Sequence, residues 1–233
     1  MMTKSRSNPF PGGTASFDAL AVLEACHAMI EHQLQILENL VSHLAARGAD
    51  EEARGAAKAL IRYFDTAARE HHHDEDEYLF PLLRELAARA DRPEVGATLY
   101  ELEREHGQMD VLYSKLRDKL RKIAEEDAAR LDAGEVAHFS WLYRRHMRLE
   151  AHVVHPFAAE TLSSAQRAAL ARRMAARREV PHPEAALRCL IADPNGRVLV
   201  GNPSGKHDGE RRNARMRMDD RPVPAAAGAK GWK

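Results

Sequence analysis

Cysteine is nearly absent from this chain of 233 residues. Cys26 and Cys189 are the only two, too few for a disulfide framework and suited to a reducing compartment. Neither sign of charge is in excess: 35 Lys+Arg face 35 Asp+Glu, so nothing electrostatic points to nucleic acid or an anionic membrane as the main partner. Long hydrophobic runs are missing too. The longest apolar stretches are a few residues, far below the roughly 20 a membrane-spanning helix needs. The N-terminal MMTKSRSNPFPGG lacks the apolar stretch of a secretory signal, so the chain is expected in the cytoplasm. Aromatics make up only 6%, yet 44% of residues are hydrophobic, enough for one sizeable core. Between Ser16 and Arg178 proline is rare, with three residues, and Ala, Leu, Glu and Arg dominate, all strong helix formers. What the chain does have is histidine: 13 in all, nine of them from His27 to His146.

Proline and glycine divide the sequence. Residues 1–15 are polar and rich in both, and read as a flexible arm. Residues 181–233 hold six of the eleven prolines and six of the thirteen glycines, and read as a poorly structured tail. Within it, LRCLIA and RVLVG flank a DPNG turn and predict a hairpin over 187–201. The segment between is all helix. Helix signals place a first helix from Ser16, a candidate N-cap, to Gly48, and a second from Asp50 to Ala90. A third runs from Pro93 to Glu126 and a fourth from Asp132 to Leu162. A short fifth helix over 163–180 opens with Ser163 and Gln166 at capping-box spacing.

Periodicity says how these helices pack. Leu20, Leu23, His27, Ile30, Leu34, Leu37, Val41 and Leu44 step alternately by three and four residues. So do Leu99, Leu102, His106, Met109, Tyr113, Leu116, Leu120 and Ile123. Each is an apolar stripe with one histidine in its middle. Four long helices with short connections predict an all-α, up-down-up-down four-helix bundle over 16–162.

The second and fourth helices share a motif. HHHDEDEYLFP and HMRLEAHVVHP both contain His-x3-Glu-x5-Pro: His71, Glu75, Pro81 and His146, Glu150, Pro156, each pair 75 residues apart. His27 and His106 are 79 apart, so the chain reads as a duplicated helical hairpin. The apolar neighbours of His71 (Leu60, Phe64, Ala67, Ala68, Leu79, Leu82, Leu86) put it and Glu75 inside and leave His73 in water. On the fourth helix the inner face carries Phe139, Leu142, Tyr143, His146, Leu149, Glu150, Val153 and Phe157. Six polar groups then enter an apolar core, where each, unpaired, costs roughly 2–7 kcal/mol. A histidine–carboxylate network satisfies some of them. Two cations satisfy all, with two imidazoles on each and Glu75 and Glu150 bridging, and imidazole plus carboxylate suits iron, manganese or zinc.

Several features stay open at this stage. Glu31 and Asp110 lie one turn past His27 and His106, placed as extra ligands, as acceptors orienting those rings, or as solvated charges. Glu24 and Glu103 make Glu-x2-His with the same histidines, a ferritin-like alternative. His72, His152 and His155 are expected at the surface. Pro81 and Pro156 are expected to kink or end their helices.

A lone His, then HHxDEx3LFP, then EH, then Hx3Ex5P resembles the hemerythrin-like family, the HHE cation-binding domains. The resemblance covers about residues 16–162. It implies a four-helix bundle with two non-haem irons, held by His27, His71, Glu75, His106, His146 and Glu150, that binds O2 or NO. Oxygen-carrying hemerythrins have a second histidine a turn from the first on the third helix; here the positions four residues either side of His106 are Leu102 and Asp110. With four histidines the pattern is more similar to bacterial proteins of nitric-oxide and oxidative stress, including those that donate iron to damaged iron–sulfur clusters. A cysteine-containing N-terminal segment, frequent in the iron-repair proteins, is not matched by the polar arm. The resemblance thus implies a binder or sensor of O2 or NO, with a di-iron oxidase, peroxidase or NO reductase, or an iron store or donor, as alternatives.

Overall fold

The computed structural model describes residues 18–125 and 130–177. The expected N-terminal arm and the expected tail with its hairpin lie outside these residues. Among the described residues there is helix and no strand. The first rod is α1, Ala19–Arg47. It is capped by Asp18, whose side chain accepts from the Leu20 amide at 3.0 Å, rather than by the expected Ser16, which is not described. It stops at Gly48, where φ is +73°, a backbone angle that glycine takes without the Cβ penalty.

The second rod is one predicted helix in four pieces: α2 (Glu51–Asp65), α3 (Ala67–Asp74), a π segment (Glu75–Leu79) and α4 (Phe80–Arg89). The break at Thr66 accompanies a bond from its hydroxyl to the Arg62 carbonyl at 2.6 Å, the back-bonding that bends helices at threonine. The third rod, α5, is unbroken over Pro93–Ala124, with proline in its first turn. The fourth is α6 (Ala133–Leu149), a second π segment (Glu150–Val154) and α7 (His155–Thr161). α8, Ser164–Arg177, follows the expected capping box: Gln166 accepts from the Ser163 amide at 2.9 Å.

Pro81 and Pro156 neither end nor sharply interrupt their rods. One residue before each proline the backbone ladder lengthens: the Phe80 amide reaches the Glu75 carbonyl and the His155 amide reaches the Glu150 carbonyl. A proline offers no N–H and crowds the carbonyl four residues back, and the wider turn accommodates both. The extra residue in that turn moves the buried face on by one. Leu83 and Ala87 are buried where Leu82 and Leu86 were expected, and Val154 is buried where Val153 was expected.

The rods touch in a closed order, first to second, second to third, third to fourth, fourth to first. Their apolar residues form two clusters. One gathers Leu23 and Cys26 of α1, Phe80 and Leu83 of α4, Leu99 and Leu102 of α5, and Phe157 of α7. Leu170, Ala171 and Met174 of α8 belong to it, so the fifth helix extends the core, tied down by Arg167 to Asp18 at 2.8 Å. The other cluster gathers Ile30 to Leu40, Ala53 to Ala68, Met109 to Ile123 and Val136 to Tyr143. On every rod the polar residues singled out in the sequence fall between the two clusters. No helix among the described residues is long and apolar enough to cross a membrane.

Candidate metal centre

The layer between the clusters brings together all six residues of the sequence pattern. His27, His71, Glu75 and Glu150 offer ligating atoms within 4.8 Å of one another, and so do Glu75, His106 and His146. Each carboxylate spans the two groups. Glu75 turns Oε1 toward His71 Nε2 (3.4 Å) and Oε2 toward His106 Nε2 (3.5 Å). Glu150 turns Oε2 toward His27 Nε2 (3.0 Å) and Oε1 toward His146 Nε2 (3.5 Å). The local reason is helical spacing. Four residues separate histidine from glutamate on each motif-bearing rod, which stacks them on one face, and each glutamate opens a π segment.

Burial and the mutual proximity of the six side chains set the electrostatics of the layer. Burial, with the His27 ring beside it, pushes His71 well below the ordinary histidine range, so it stands neutral, the form that coordinates a metal. Burial and the neighbouring Glu150 push Glu75 well above the usual carboxylate range. Burial opposes ionisation of Glu150 as well, yet His146 and His27 hold it well below that range. His27 Nε2, His71 Nε2 and all four carboxylate oxygens of Glu75 and Glu150 are buried, and they face one another in ion pairs of 3.0–3.5 Å without forming well-aligned hydrogen bonds. Buried polar groups satisfied this incompletely are costly to keep in a core. His106 and His146 bring their Nε2 atoms within hydrogen-bond distance of one another, 3.1 Å. Four imidazoles and two carboxylates converging in this way are a fitting donor set for first-row transition ions.

Behind the inner ring lie residues that the sequence did not mark. His106 Nδ1 donates to Asp76 at 2.9 Å, so Asp76 and not Asp110 orients that ring; Asp110 is exposed. His146 Nδ1 donates to the buried Glu105 at 3.2 Å, and Arg145 closes on Glu105 from outside. Glu31 is taken up by Arg144 in two bonds of 2.9 Å, which removes it as a ligand. The ferritin-like alternative loses both of its acids: Glu24 is exposed, and Glu103 is paired with Arg84 at 2.9 and 3.0 Å. His72, expected in water, is buried with its ring stacked on His106 at 4.1 Å. His155, likewise expected in water, is buried and stacked on His27 at 5.4 Å. Aligning the two motifs on their prolines puts His155 opposite Phe80, which stacks on His106 at 5.8 Å, and that pairing was the available signal. His152 is exposed, as expected.

A third grouping, His43, Asp50 and Glu52, sits at the corner between α1 and α2. There Asp50 caps α2 through the Ala53 amide and accepts from His43 at 2.8 Å, so capping accounts for it. A surface groove between α1 and α6, walled by His27, Arg144, Met147 and Ala151, reaches the buried layer at His27, whose side chain is 13% exposed.

Residues 18–158 fit the family described as "Hemerythrin HHE cation binding domain". A protein of Haemophilus influenzae (strain ATCC 51907 / DSM 11121 / KW20 / Rd), described as "Uncharacterized protein", is similar, 26% identical over 163 residues that cover 70% of this chain and 91% of its own length.

Proposed function

The chain belongs to the hemerythrin HHE cation-binding domain family, and from that premise we propose that it holds two iron ions in an up-down-up-down four-helix bundle spanning 16–162 and binds or senses O2 or NO there. The observation that carries this is the geometry of the two carboxylates. Glu75 and Glu150 each direct one oxygen at the His27/His71 side and the other at the His106/His146 side, at 3.0–3.5 Å from the imidazole nitrogens and without a well-aligned hydrogen bond. In this assignment Glu75 and Glu150 bridge, His27 and His71 hold one ion, and His106 and His146 hold the other.

When bound, iron held by these imidazoles and carboxylates would supply affinity for O2 and NO. The chain's own residues do the rest. The two carboxylates offset positive charge that would otherwise be buried alone. The flanking apolar clusters keep bulk water from the layer. Phe80 and His72, stacked on either side of His106, fix its ring. The groove at His27 is where the layer comes to the surface, His27 being the most exposed of the six residues. We assign the chain to the cytoplasm and to a response to oxidative or nitrosative stress.

The test is metal analysis and optical spectroscopy of protein purified without oxygen and then exposed to O2 and to NO. Two irons per chain and a reversible spectral change with either gas are expected. Less than about one iron per chain, or zinc alone, refutes the assignment. Sustained consumption of reductant would make the protein an enzyme rather than a binder.

A further inference from the structure

The two ends of the six-residue layer differ in what stands behind them. At one end both imidazoles turn Nε2 inward and give Nδ1 to a carboxylate: His106 to Asp76 at 2.9 Å and His146 to Glu105 at 3.2 Å. Glu105 is buried and is itself clamped by Arg145. At the other end His71 Nδ1 is buried and has no hydrogen-bond partner among the described residues. His27 forms part of the groove wall and is held by ring contacts, stacked on His155 at 5.4 Å and edge-on to His71 at 5.0 Å.

The sequence offsets between the two helical hairpins show which residues stand where those acceptors stand at the other end. The shift of 75 that carries Glu75 onto Glu150 carries Asp76 onto Ala151, which lies beside His27 in the groove. The shift of 79 that relates His27 and His106 carries Cys26 onto Glu105. A methyl group accepts no hydrogen bond and a thiol accepts only weakly. The two hairpins share the same inner residues and differ immediately behind them.

Resting on the di-iron assignment, we infer that the two cation positions are unequal: Asp76 and Glu105 are positioning residues that make the His106/His146 position the retained one, while the His27/His71 position is exchangeable and fills and empties through the groove between α1 and α6. A carboxylate behind a ligating imidazole fixes its tautomer and orientation and raises its basicity, and removing one lowers metal affinity about 10- to 100-fold. The side lacking both carboxylates is also the side with a histidine open to the surface.

Release of ferrous iron from the loaded full chain to a chromophoric chelator, followed by absorbance without oxygen, tests this. Two steps of one iron each are expected, with rates at least about tenfold apart. Asp76→Asn and Glu105→Gln should speed the slow step by about 10- to 100-fold and leave the fast step unchanged. Ala151→Asp, at an exposed position, should supply His27 with an acceptor and slow the fast step. His27→Ala should leave a one-iron protein that releases slowly. Asp76 is one-third exposed, so its variant remains informative if Glu105→Gln does not fold, which far-UV circular dichroism reports. Two irons leaving in a single step, or Asp76→Asn acting on the fast step, overturns the inequality and leaves the di-iron assignment intact. A chain that takes up less than about one iron overturns that assignment itself.

Discussion

Glu75→Gln and Glu150→Gln make the same chemical change at two fully buried positions and should have opposite effects on the metal-free protein. Burial and the charge of Glu150 raise the Glu75 carboxyl well above the range it has in the unfolded chain. Glu75 therefore contributes stability below about pH 4, the unfolded carboxyl range, and that stability is lost as pH rises toward its folded value. Across that window the loss is about 1.4 kcal/mol per pH unit. Glutamine keeps the shape without the charge, so the stability of Glu75→Gln minus that of wild type should grow with pH at about that slope, which cancels the buried histidines common to both. Glu150 runs the other way. Although burial raises its carboxyl, His146 and His27 hold it below the unfolded range, so its contribution is present at neutral pH and lost as pH falls. Removing one member of such a buried pair costs about 3–5 kcal/mol. Urea melts of chelator-stripped protein at a series of pH values give both differences. Added ferrous iron at about 100 times its dissociation constant should stabilise wild type by about 2.7 kcal/mol and neither variant by a comparable amount. A flat or inverted difference for Glu75→Gln, or iron stabilisation surviving in both variants, would refute the electrostatic account of the layer.

Phe139 is fully buried against Phe64 and Tyr143, so Phe139→Ala should cost about 3–5 kcal/mol and lower Tm by on the order of 10 °C, read by thermal melting. Asp65 accepts from Arg117 at 2.7 Å and from the Tyr113 hydroxyl at 2.9 Å across α2 and α5, which lowers its carboxyl range. Because the group is partly exposed, Asp65→Asn should cost only about 1 kcal/mol at pH 7, and the cost should shrink toward pH 3, as chemical melts would show. Deleting the exposed Glu77 should turn the first π segment into α-helix and leave Leu83 and Ala87 inside, whereas deleting the exposed Gln108 should rotate Tyr113, Leu116, Leu120 and Ile123 out of the core and prevent cooperative melting. Equal damage from the two deletions would show that the π turn is not a removable insertion.

The helices and the six layer residues were legible because both are periodic. Apolar steps of three and four mark rods, and a histidine on the stripe or a His-x3-Glu on the apolar face is a departure visible against that background. The π segments were not legible, because an α-helix pattern assumes a constant turn. With Leu82 and Leu83 adjacent, and Val153 beside Val154, either register supplies an apolar residue, so composition did not expose the shift. That shift also buried His155, which α spacing places in water. His72 was expected at the surface, yet its ring is buried and stacked on His106. Asp76 was hidden for a different reason. It lies next to a layer residue on its own rod but serves a histidine 30 positions away on another, a relation that no local spacing encodes.

The position of the layer explains how a chain can keep six polar side chains in its core and still fold. They lie in one plane, with an apolar cluster on each side, each built from several rods. Each cluster can hold its rods together by ordinary burial, so the order of the chain does not depend on a cation as it does in a small zinc-bound domain. The cost of the layer is confined to its orphaned atoms, and those are the atoms aimed at shared points. A chain built for stability alone would fill those positions with apolar residues, as the stripes do at Leu23 and Ile30 around His27 and at Leu102 and Met109 around His106. Retaining an imidazole on each of the four rods, and a carboxylate on two of them, concentrates the unfavourable groups where a pair of cations would convert every one of them into a ligand.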